Sequence, residues 1–388
     1  MKRYDIIISG GGMIGSIAAV AAINEGLSVL LIEAKKMNVV EENSPRDLRV
    51  SAISWDNIIY LRQLKIYHNL LQNRIQPYNH MKVWDNRTNA KIEFEADFSQ
   101  QQCLGYLLEN NNLVQGSWLM LKQSDRCDII PETTIKSIEN NDAQVRIILS
   151  NQDEFKGRLL IASEGRNSFC RNDAGIKTTE YPYKQKGLVA YITLSHAPVE
   201  TALQAFDQGG PIGILPIKDD VFSIVWSLPE DKCDHWLECS PHEFEQGLIK
   251  AIGKDFGKIE LLSQRAAFPL TQLYAEKYFK NHLVLCGDSA HGVHPLAGQG
   301  VNLGIGDVQL LFKLVNKTIL KDQDLLHLAL RKYQRRRMSR VKETSEMMSL
   351  LHHIFKDDKH FKKPLRTFAL NIIDNIPFKK WFARQAGS

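Results

Sequence analysis

The first residues whose types and spacing suggest chemistry are Gly10-Gly11-Gly12-Met13-Ile14-Gly15, which satisfy the pattern G-x-G-x-x-G. An apolar run at residues 4–9 precedes them, and a run of small, helix-favouring residues follows. In such a strand–turn–helix unit the glycines permit a tight turn, close approach of the backbone to a pyrophosphate, and close packing of helix on strand. The free N–H groups at the helix start also favour phosphate. The segment is therefore predicted to bind a dinucleotide.

A carboxylate stands where such a site needs one. Glu33 lies 18 residues after Gly15, at the end of a second apolar run at residues 27–33. It can accept hydrogen bonds from ribose hydroxyls and would repel a 2′-phosphate, so the dinucleotide is not expected to be NADP-like. The pattern does not distinguish FAD from NAD. The predicted cofactor-binding residues of this unit are Gly10, Gly12, Met13, Ile14, Gly15 and Glu33.

A second constellation near the other end of the chain favours FAD. Gly287-Asp288 follows an apolar run at residues 283–286, and a glycine-rich stretch at residues 294–307 leads into another predicted helix. Asp288 can accept a hydrogen bond from a ribityl hydroxyl. The N–H groups of residues 298–301 form a second anion-favouring site, which suits the N1–C2=O edge of a reduced flavin. Because FAD is long, two turns distant in sequence are expected to serve its two ends.

Residues 283–307 closely resemble the signature of the ubiquinone-biosynthesis ring hydroxylases, a branch of the class A flavoprotein aromatic monooxygenases. The resemblance rests on the run His-Pro-Leu-Ala-Gly-Gln-Gly-Val-Asn-Leu-Gly at residues 294–304, and it continues at residues 47–54, 159–168, 268–271 and 333–337. It therefore covers nearly the whole chain. One departure is Ser163-Glu164-Gly165, where the family usually has Ala-Asp-Gly. The longer glutamate side chain is expected to shift how NAD(P)H docks. The sequence therefore does not decide between NADH and NADPH as the reductant.

The resemblance implies an FAD-dependent NAD(P)H:O2 aromatic-ring monooxygenase. Its expected substrate is a polyprenyl-phenol or quinol intermediate of ubiquinone biosynthesis, hydroxylated through a flavin C4a-hydroperoxide, and the cofactor supplies the difficult chemistry. The alternatives are a hydroxylase of a small soluble aromatic, a reductase acting on isoprenoid double bonds without oxygen, and a non-catalytic FAD-binding scaffold of a biosynthetic complex. The ring position that is hydroxylated stays open because members of the family share these motifs.

The same resemblance assigns further residues to the site. His294 and Pro295 are expected to position the flavin side of the site rather than transfer protons, and His291 to hydrogen-bond within its turn. Asn110 is expected either to cap a helix or to touch the cofactor. No metal site is predicted, since the six cysteines form no CxxC pair. The remaining cofactor-binding assignments are Arg49, Glu164, Gly287, Asp288, Pro295, Gly298, Gln299, Gly300, Val301 and Asn302.

The elements that position these residues belong to an α/β fold. A chain of 388 residues with 44% hydrophobic and 24% charged residues is typical of a globular protein. The fold class expected is a Rossmann-type FAD-binding domain with an inserted antiparallel-sheet substrate domain and a C-terminal helical region. The FAD-binding domain is assigned to residues 1–75, 100–180 and 270–350. The substrate domain is assigned to residues 76–99 and 181–269, and the C-terminal region to residues 351–388. Helices are predicted at residues 54–72, 110–121, 241–253 and 301–320.

Charge and hydropathy limit the partners. The net charge of +5 is too small to indicate nucleic-acid binding. The uncharged run at residues 6–23 superficially resembles a signal peptide, but glycines interrupt it, and no other run is long enough to span a bilayer. A cytoplasmic location is expected. The basic stretch at residues 331–337, and later basic residues interleaved with aromatics, suggest contact with the inner-membrane surface, with proteins of the same pathway, or only with solvent. The oligomeric state stays open.

Overall fold

The computed structural model describes residues 1–88, 90–96, 102–141, 144–207, 210–293 and 299–356. Within these residues three sheets form the framework, and strands and helices are numbered along the chain. No helix in the described ranges has the length and apolar character needed to cross a membrane. The predicted α/β fold with an inserted sheet is confirmed.

The first sheet has eight strands and a parallel centre in the order β18-β19-β11-β1-β2-β8. β2 and β19 are completely buried apolar runs and β1 is buried from Ile6 to Ser9, as expected for a parallel sheet covered on both faces. β9 and β10 extend it in antiparallel fashion beside β11. The strands are β1 (Lys2–Ser9), β2 (Val29–Ile32), β8 (Cys127–Ile130), β9 (Ile135–Asn140), β10 (Val145–Leu149), β11 (Glu154–Ala162), β18 (Phe279–Lys280) and β19 (Leu283–Leu285).

The second sheet has nine strands in the order β20-β17-β12-β15-β14-β13-β5-β6, with β16 beside β12. The sheet was expected to be antiparallel, but β13 pairs with β5 in parallel because a long connection separates them. The strands are β5 (His80–Asp85), β6 (Lys91–Glu95), β12 (Thr178–Leu194), β13 (Thr201–Asp207), β14 (Gly210–Lys218), β15 (Val221–Pro229), β16 (Ile259–Leu261), β17 (Ala266–Ala275) and β20 (His291–Gly292). A third sheet is formed by β3 (Val50–Ser54), β7 (Gly105–Glu109) and β4 (Ile75–Tyr78).

Helices cover the first sheet and one face of the second. The Ala-rich helix α1 is buried on nearly all sides, since small side chains let it pack closely. Phe244 and Leu248 of α6 pack on the helix-covered face of the nine-stranded sheet. The described helices are α1 (Met13–Asn24), α2 (Trp55–Gln63), α3 (Asn110–Lys122), α4 (Phe169–Asp173), α5 (Glu230–Glu238), α6 (Pro241–Ile252), α7 (Gln299–Leu314) and α8 (Gln323–Lys356).

Helix ends agree with the sequence signals where local chemistry decides them. α6 begins after Ser240, whose hydroxyl accepts the Glu243 N–H, and it ends at Gly253 in the left-handed conformation. The predicted helix at residues 54–72 is wrong beyond Gln63, because Lys65 adopts a φ of 62° that ends the helix. The helix predicted at residues 301–320 likewise ends at Leu314.

Candidate functional site

The carboxyl ends of four parallel strands meet at one edge of the eight-stranded sheet. Ser9 of β1 pairs with Ala162 of β11 and with Ile32 of β2, and Ala162 pairs with Leu285 of β19. Both predicted constellations follow these strands and therefore lie side by side. In open α/β sheets ligands bind outside this edge.

The glycine turn after β1 has the geometry that its spacing predicted. Gly10 has a φ of +98°, and a Cβ there would lie 2.5 Å from the carbonyl oxygen of Ser163. A Cβ at Gly15 would overlap the carbonyl oxygen of Gly10. A Cβ at Gly12, by contrast, would meet no atom within 4 Å. Two glycines therefore serve packing, whereas Gly12 leaves open space beside the start of α1, where no side chain caps the helix. This arrangement fits a pyrophosphate.

Glu33 lies directly after β2 and already accepts two backbone hydrogen bonds. Its carboxylate accepts the Gly11 N–H at 2.6 Å and the Lys35 N–H at 2.9 Å. Trp118 of α3, which the sequence interpretation missed, donates its indole N–H to the Gly11 carbonyl at 2.9 Å. The turn is thus held from both sides. Glu33 remains partly exposed and lies where a carboxylate that accepts from ribose hydroxyls is expected.

The unusual Ser163-Glu164-Gly165 motif follows β11 and braces the same turn. Glu164 Oε1 accepts the Ser9 hydroxyl at 2.7 Å, and its Oε2 accepts the Ser168 hydroxyl at 2.6 Å and the Cys170 N–H at 3.0 Å. Ser163 donates its hydroxyl to the Gly10 carbonyl at 2.9 Å. The longer glutamate therefore joins the end of β1 to the start of α4, and the contacts of this carboxylate are with protein groups.

The second turn contacts the first directly. Gly287 follows β19 with a φ of +61°, and a Cβ on it would lie 3.1 Å from the Ile14 side chain. A Cβ at Gly304 of α7 would lie 2.6 Å from the same side chain. The Asp288 residue is exposed. The protein around it nevertheless removes enough water to raise the pKa of its carboxyl, and the positive charges of His291 and Arg166 oppose this rise. The two constellations thus form one site, with Ile14 between them.

A buried ionic cluster supports this second turn and was not predicted as part of the site. Asp307 of α7 accepts the Gly287 N–H at 2.8 Å and the Nε–H of Arg337 at 2.5 Å, and it lies 2.7 Å from Nε2 of His291. Burial alone would raise the pKa of Asp307, but His291 and Arg337 lower it below its usual value. Asp307 ends the quoted motif at residues 283–307 and Arg337 ends the stretch at 333–337. The matching stretches therefore included both residues, but nothing in the sequence indicated that they pair.

The start of α7 is only partly described. His294, Pro295 and Gly298 lie outside the described residues, and of Gln299 only the backbone is described. Gly300 and Val301 lie in the first turn of the helix. Asn302 is 2% exposed, donates to the Ala52 carbonyl at 2.8 Å and accepts the Ser54 N–H at 3.0 Å. Its side chain therefore joins α7 to β3 through hydrogen bonds to backbone groups of the protein.

Two further predicted residues lie beside β3. The Arg49 side chain is 69% exposed, and within the described part of the chain its one contact is with Asp47 at 4.0 Å, which leaves it able to reach a ligand. Asn110 is the first residue of α3, and its side-chain oxygen accepts the Ser51 hydroxyl at 2.6 Å. It does not cap the helix, because no side chain makes a cap hydrogen bond there.

The loop between β2 and β3 is fixed by a buried carboxylate. Glu109 accepts from Arg46 at 2.9 Å and from Arg74 at 2.8 Å, and it also accepts the Asp47 N–H at 2.9 Å. A cavity of about 340 Å³ borders these groups; its lining is Asn38, Val39, Val40, Ser44, Pro45, Arg46, Asp47, Glu109 and Asn111.

Comparison with known proteins agrees with this geometry. Residues 3–347 match the FAD binding domain family. The chain is 30% identical to the 3-demethoxyubiquinol 3-hydroxylase of Escherichia coli, over 86% of this chain and 85% of the relative. It is 27% identical to the ubiquinone hydroxylase UbiM of Neisseria meningitidis, over 98% of this chain and 84% of the relative. With the Danio rerio ubiquinone biosynthesis monooxygenase COQ6 the identity is 29%, over 97% and 88%.

Solved structures share the fold. The p-nitrophenol 4-monooxygenase PnpA from Pseudomonas putida superposes with a TM-score of 0.80 at 13% identity, covering 100% of this chain and 99% of that one. PqsL from Pseudomonas aeruginosa, a probable FAD-dependent monooxygenase, gives 0.78 at 20% identity, covering 95% and 100%. At these identities the likeness concerns the fold alone.

Proposed function

Since the chain belongs to the FAD binding domain family and is an FAD-dependent monooxygenase, we propose that it hydroxylates the aromatic ring of a polyprenyl-phenol or quinol intermediate of ubiquinone biosynthesis. The observation that carries the proposal is the meeting of two glycine turns at one sheet edge, in a chain whose similar relatives are named as ubiquinone hydroxylases. NAD(P)H is the proposed reductant and O2 the co-substrate.

The residues present fit FAD. Gly12 leaves space for the pyrophosphate, Glu33 stands at the ribose position, and the exposed Asp288 faces solvent at the end of β19. Arg49 is free to reach a phosphate. When bound, FAD supplies the redox chemistry by which one oxygen atom of O2 enters an aromatic ring.

The chain's own residues have three tasks in this reaction. The glycine turns and Glu33 bind the cofactor, and the Asp307 cluster holds the turn that carries Asp288. Tyr191 of the nine-stranded sheet donates its hydroxyl to the Asp47 carbonyl at 2.6 Å, which fixes that sheet against the loop before β3. This closure orders the space between the sheets and limits the entry of water.

The test is spectroscopic and kinetic. Purified holoprotein should show an FAD spectrum, and NAD(P)H consumption under air should rise when a phenol with a short prenyl chain is added, with an oxygenated product by mass spectrometry. The Gly12→Val variant, which fills the pyrophosphate space, serves as the control without FAD. Equal turnover without oxygen would indicate a reductase. A holoprotein with an FAD spectrum whose NAD(P)H consumption rises with no phenol or quinol would instead contradict the proposed substrate class.

Contact with an anionic membrane surface is the second part of the proposal. Arg331, Lys332, Arg335 and Arg336 are exposed on α8, and none has an ion-pair partner among the residues that the structure describes. Toward the start of the same helix two leucines, at 325 and 328, are 41% and 63% exposed. A cationic face beside exposed apolar residues is typical of interfacial helices, and a prenylated substrate lives in the bilayer.

Vesicle sedimentation tests this part. Binding is expected to phosphatidylglycerol-containing vesicles and not to phosphatidylcholine alone, and to weaken with salt. The double variant R335E/R336E should lose binding, whereas K122E/K218E makes the same charge change at exposed cations of α3 and β14 and should retain it. Equal binding of both double variants would show that this face of α8 is not the contact.

A further inference from the structure

The two faces of the nine-stranded sheet differ in chemistry. Along β15, Phe222, Ile224, Trp226 and Leu228 belong to the core that α5 and α6 cover, so Ser223, Val225 and Ser227 point to the other face. That face looks toward the three-stranded sheet, since Leu215 of β14 and Phe206 of β13 join an apolar cluster with residues of β3, β4 and β7. The aromatic residues Phe222 and Trp226 thus belong to the covered core.

Gln204 lies on the same inner face in the middle of the sheet. Its neighbours along β13, Leu203 and Ala205, belong to the helix-covered core, so its side chain points the opposite way. It pairs with Gly213 of β14, and Gly213 pairs with Val225 of β15. Gly213 and Val225 are only partly buried although they lie on interior strands of the sheet. The inner face therefore borders accessible space at this point.

The amide of Gln204 has no protein partner among the described residues. The residue is 8% exposed, but its amide oxygen and nitrogen are not among the fully buried polar atoms, so the amide lies at the edge of the accessible space. Its same-face neighbours on β13, Ala202 and Phe206, belong to the apolar cluster. A polar group at such a boundary hydrogen-bonds water, and a ligand that displaces this water must replace the hydrogen bonds. An amide in this position therefore has free capacity for one acceptor and two donor contacts with a ligand.

We propose that Gln204 determines substrate specificity by hydrogen-bonding the ring oxygen of the aromatic substrate. The inference rests on the proposed function and names the residue that recognises the ring. The amide oxygen accepts the phenolic O–H, and its NH₂ donates to a second ring oxygen where one is present. Ser223 and Ser227, which flank Val225 on the same face, add hydroxyls that also lack a partner among the described residues. The surrounding apolar side chains suit the ring itself.

The experiment compares two probes on the FAD holoenzyme. The probes are a phenol with a short prenyl chain and its O-methyl ether, which cannot donate a hydrogen bond, and binding is followed by the flavin absorbance change. Wild type should bind the phenol about two- to tenfold more tightly than the ether, the usual contribution of one neutral hydrogen bond. Gln204→Met, which conserves volume, should reduce this preference to near unity while FAD content stays unchanged.

A stability measurement separates recognition from a structural role. Because the amide has no protein partner, Gln204→Met should keep or raise the melting temperature. The matched control is Gln272→Met, since Gln272 is also buried on this sheet but accepts the Tyr183 hydroxyl at 3.3 Å. That variant should lose stability and keep the preference for the phenol.

Each outcome decides the matter. A preference that survives in Gln204→Met, or a wild type that binds both probes equally, would overturn the role of Gln204 and leave the hydroxylase proposal intact. A marked loss of melting temperature in Gln204→Met would assign the residue to structure. Failure of wild type to bind either probe would instead overturn the proposed substrate class, and the inference with it.

Discussion

Removing the charge of Asp307 should destabilise the protein more than any exposed substitution. Asp307 is fully buried and accepts from Arg337 at 2.5 Å and from the Gly287 N–H at 2.8 Å. Asp307→Asn keeps the shape but leaves the buried Arg337 guanidinium without its anion. Breaking a buried pair in this way costs about 3–5 kcal/mol. We expect the free energy of unfolding to fall by that amount, and FAD retention to fall with it because Gly287 lies on a turn that we propose to hold the cofactor.

Denaturant unfolding at fixed free FAD measures this loss, since cofactor binding itself adds stability. The matched control is Glu154→Gln, which removes the charge of a carboxylate that lies 2.8 Å from Arg146 but is partly exposed. Exposed pairs contribute about 0–1 kcal/mol, so this variant should unfold nearly as wild type does. The double variant D307N/R337M should lose clearly less than the sum of the two single variants, because the second change removes the unpaired charge.

Two results would refute the reasoning. A loss in Asp307→Asn no larger than in Glu154→Gln would show that the buried cluster does not support the turn. Strict additivity in the double variant would show that Asp307 and Arg337 stabilise the protein independently.

Three other predictions follow from the same geometry. Since the pKa of Asp307 is lowered in the folded state, the stabilisation from its charge is present above the ordinary pKa near 4 and is lost as pH falls through the lowered pKa. The free energy of unfolding, measured at a series of acidic pH values, should therefore change less with pH in Asp307→Asn than in wild type. Gly12→Ala should fold normally and weaken FAD binding by roughly tenfold, measured by FAD titration, whereas Gly15→Ala should lower the melting temperature because its Cβ overlaps the Gly10 carbonyl. Glu164→Asp should cost about 1 kcal/mol in unfolding because the shorter side chain cannot reach both Ser9 and the start of α4.

Much of the site could be read from the sequence because its signals are local. A strand, a glycine turn and a helix within residues 2–24 follow from side-chain size and backbone freedom. Gly10 and Gly15 are required by contacts that any such turn makes. The cofactor and the family followed from a second local motif at residues 283–307. Where a single backbone angle decided an element, as at Lys65, the sequence pattern failed, because periodicity carries no information about one left-handed residue.

Pairings across long separations depended on the tertiary structure. Trp118 reaches the Gly11 carbonyl across 107 residues, and Arg337 reaches Asp307 from another helix. Neither contact has a spacing rule, because each exists only after the sheet has brought distant elements together. The same holds for Gln204, which alternation places on one of two faces without saying which face is covered by helices. The sequence by itself determined the two glycine turns and the family. Only tertiary packing decided which polar groups are satisfied by protein and which are left for a ligand, because burial is a property of the assembled layers.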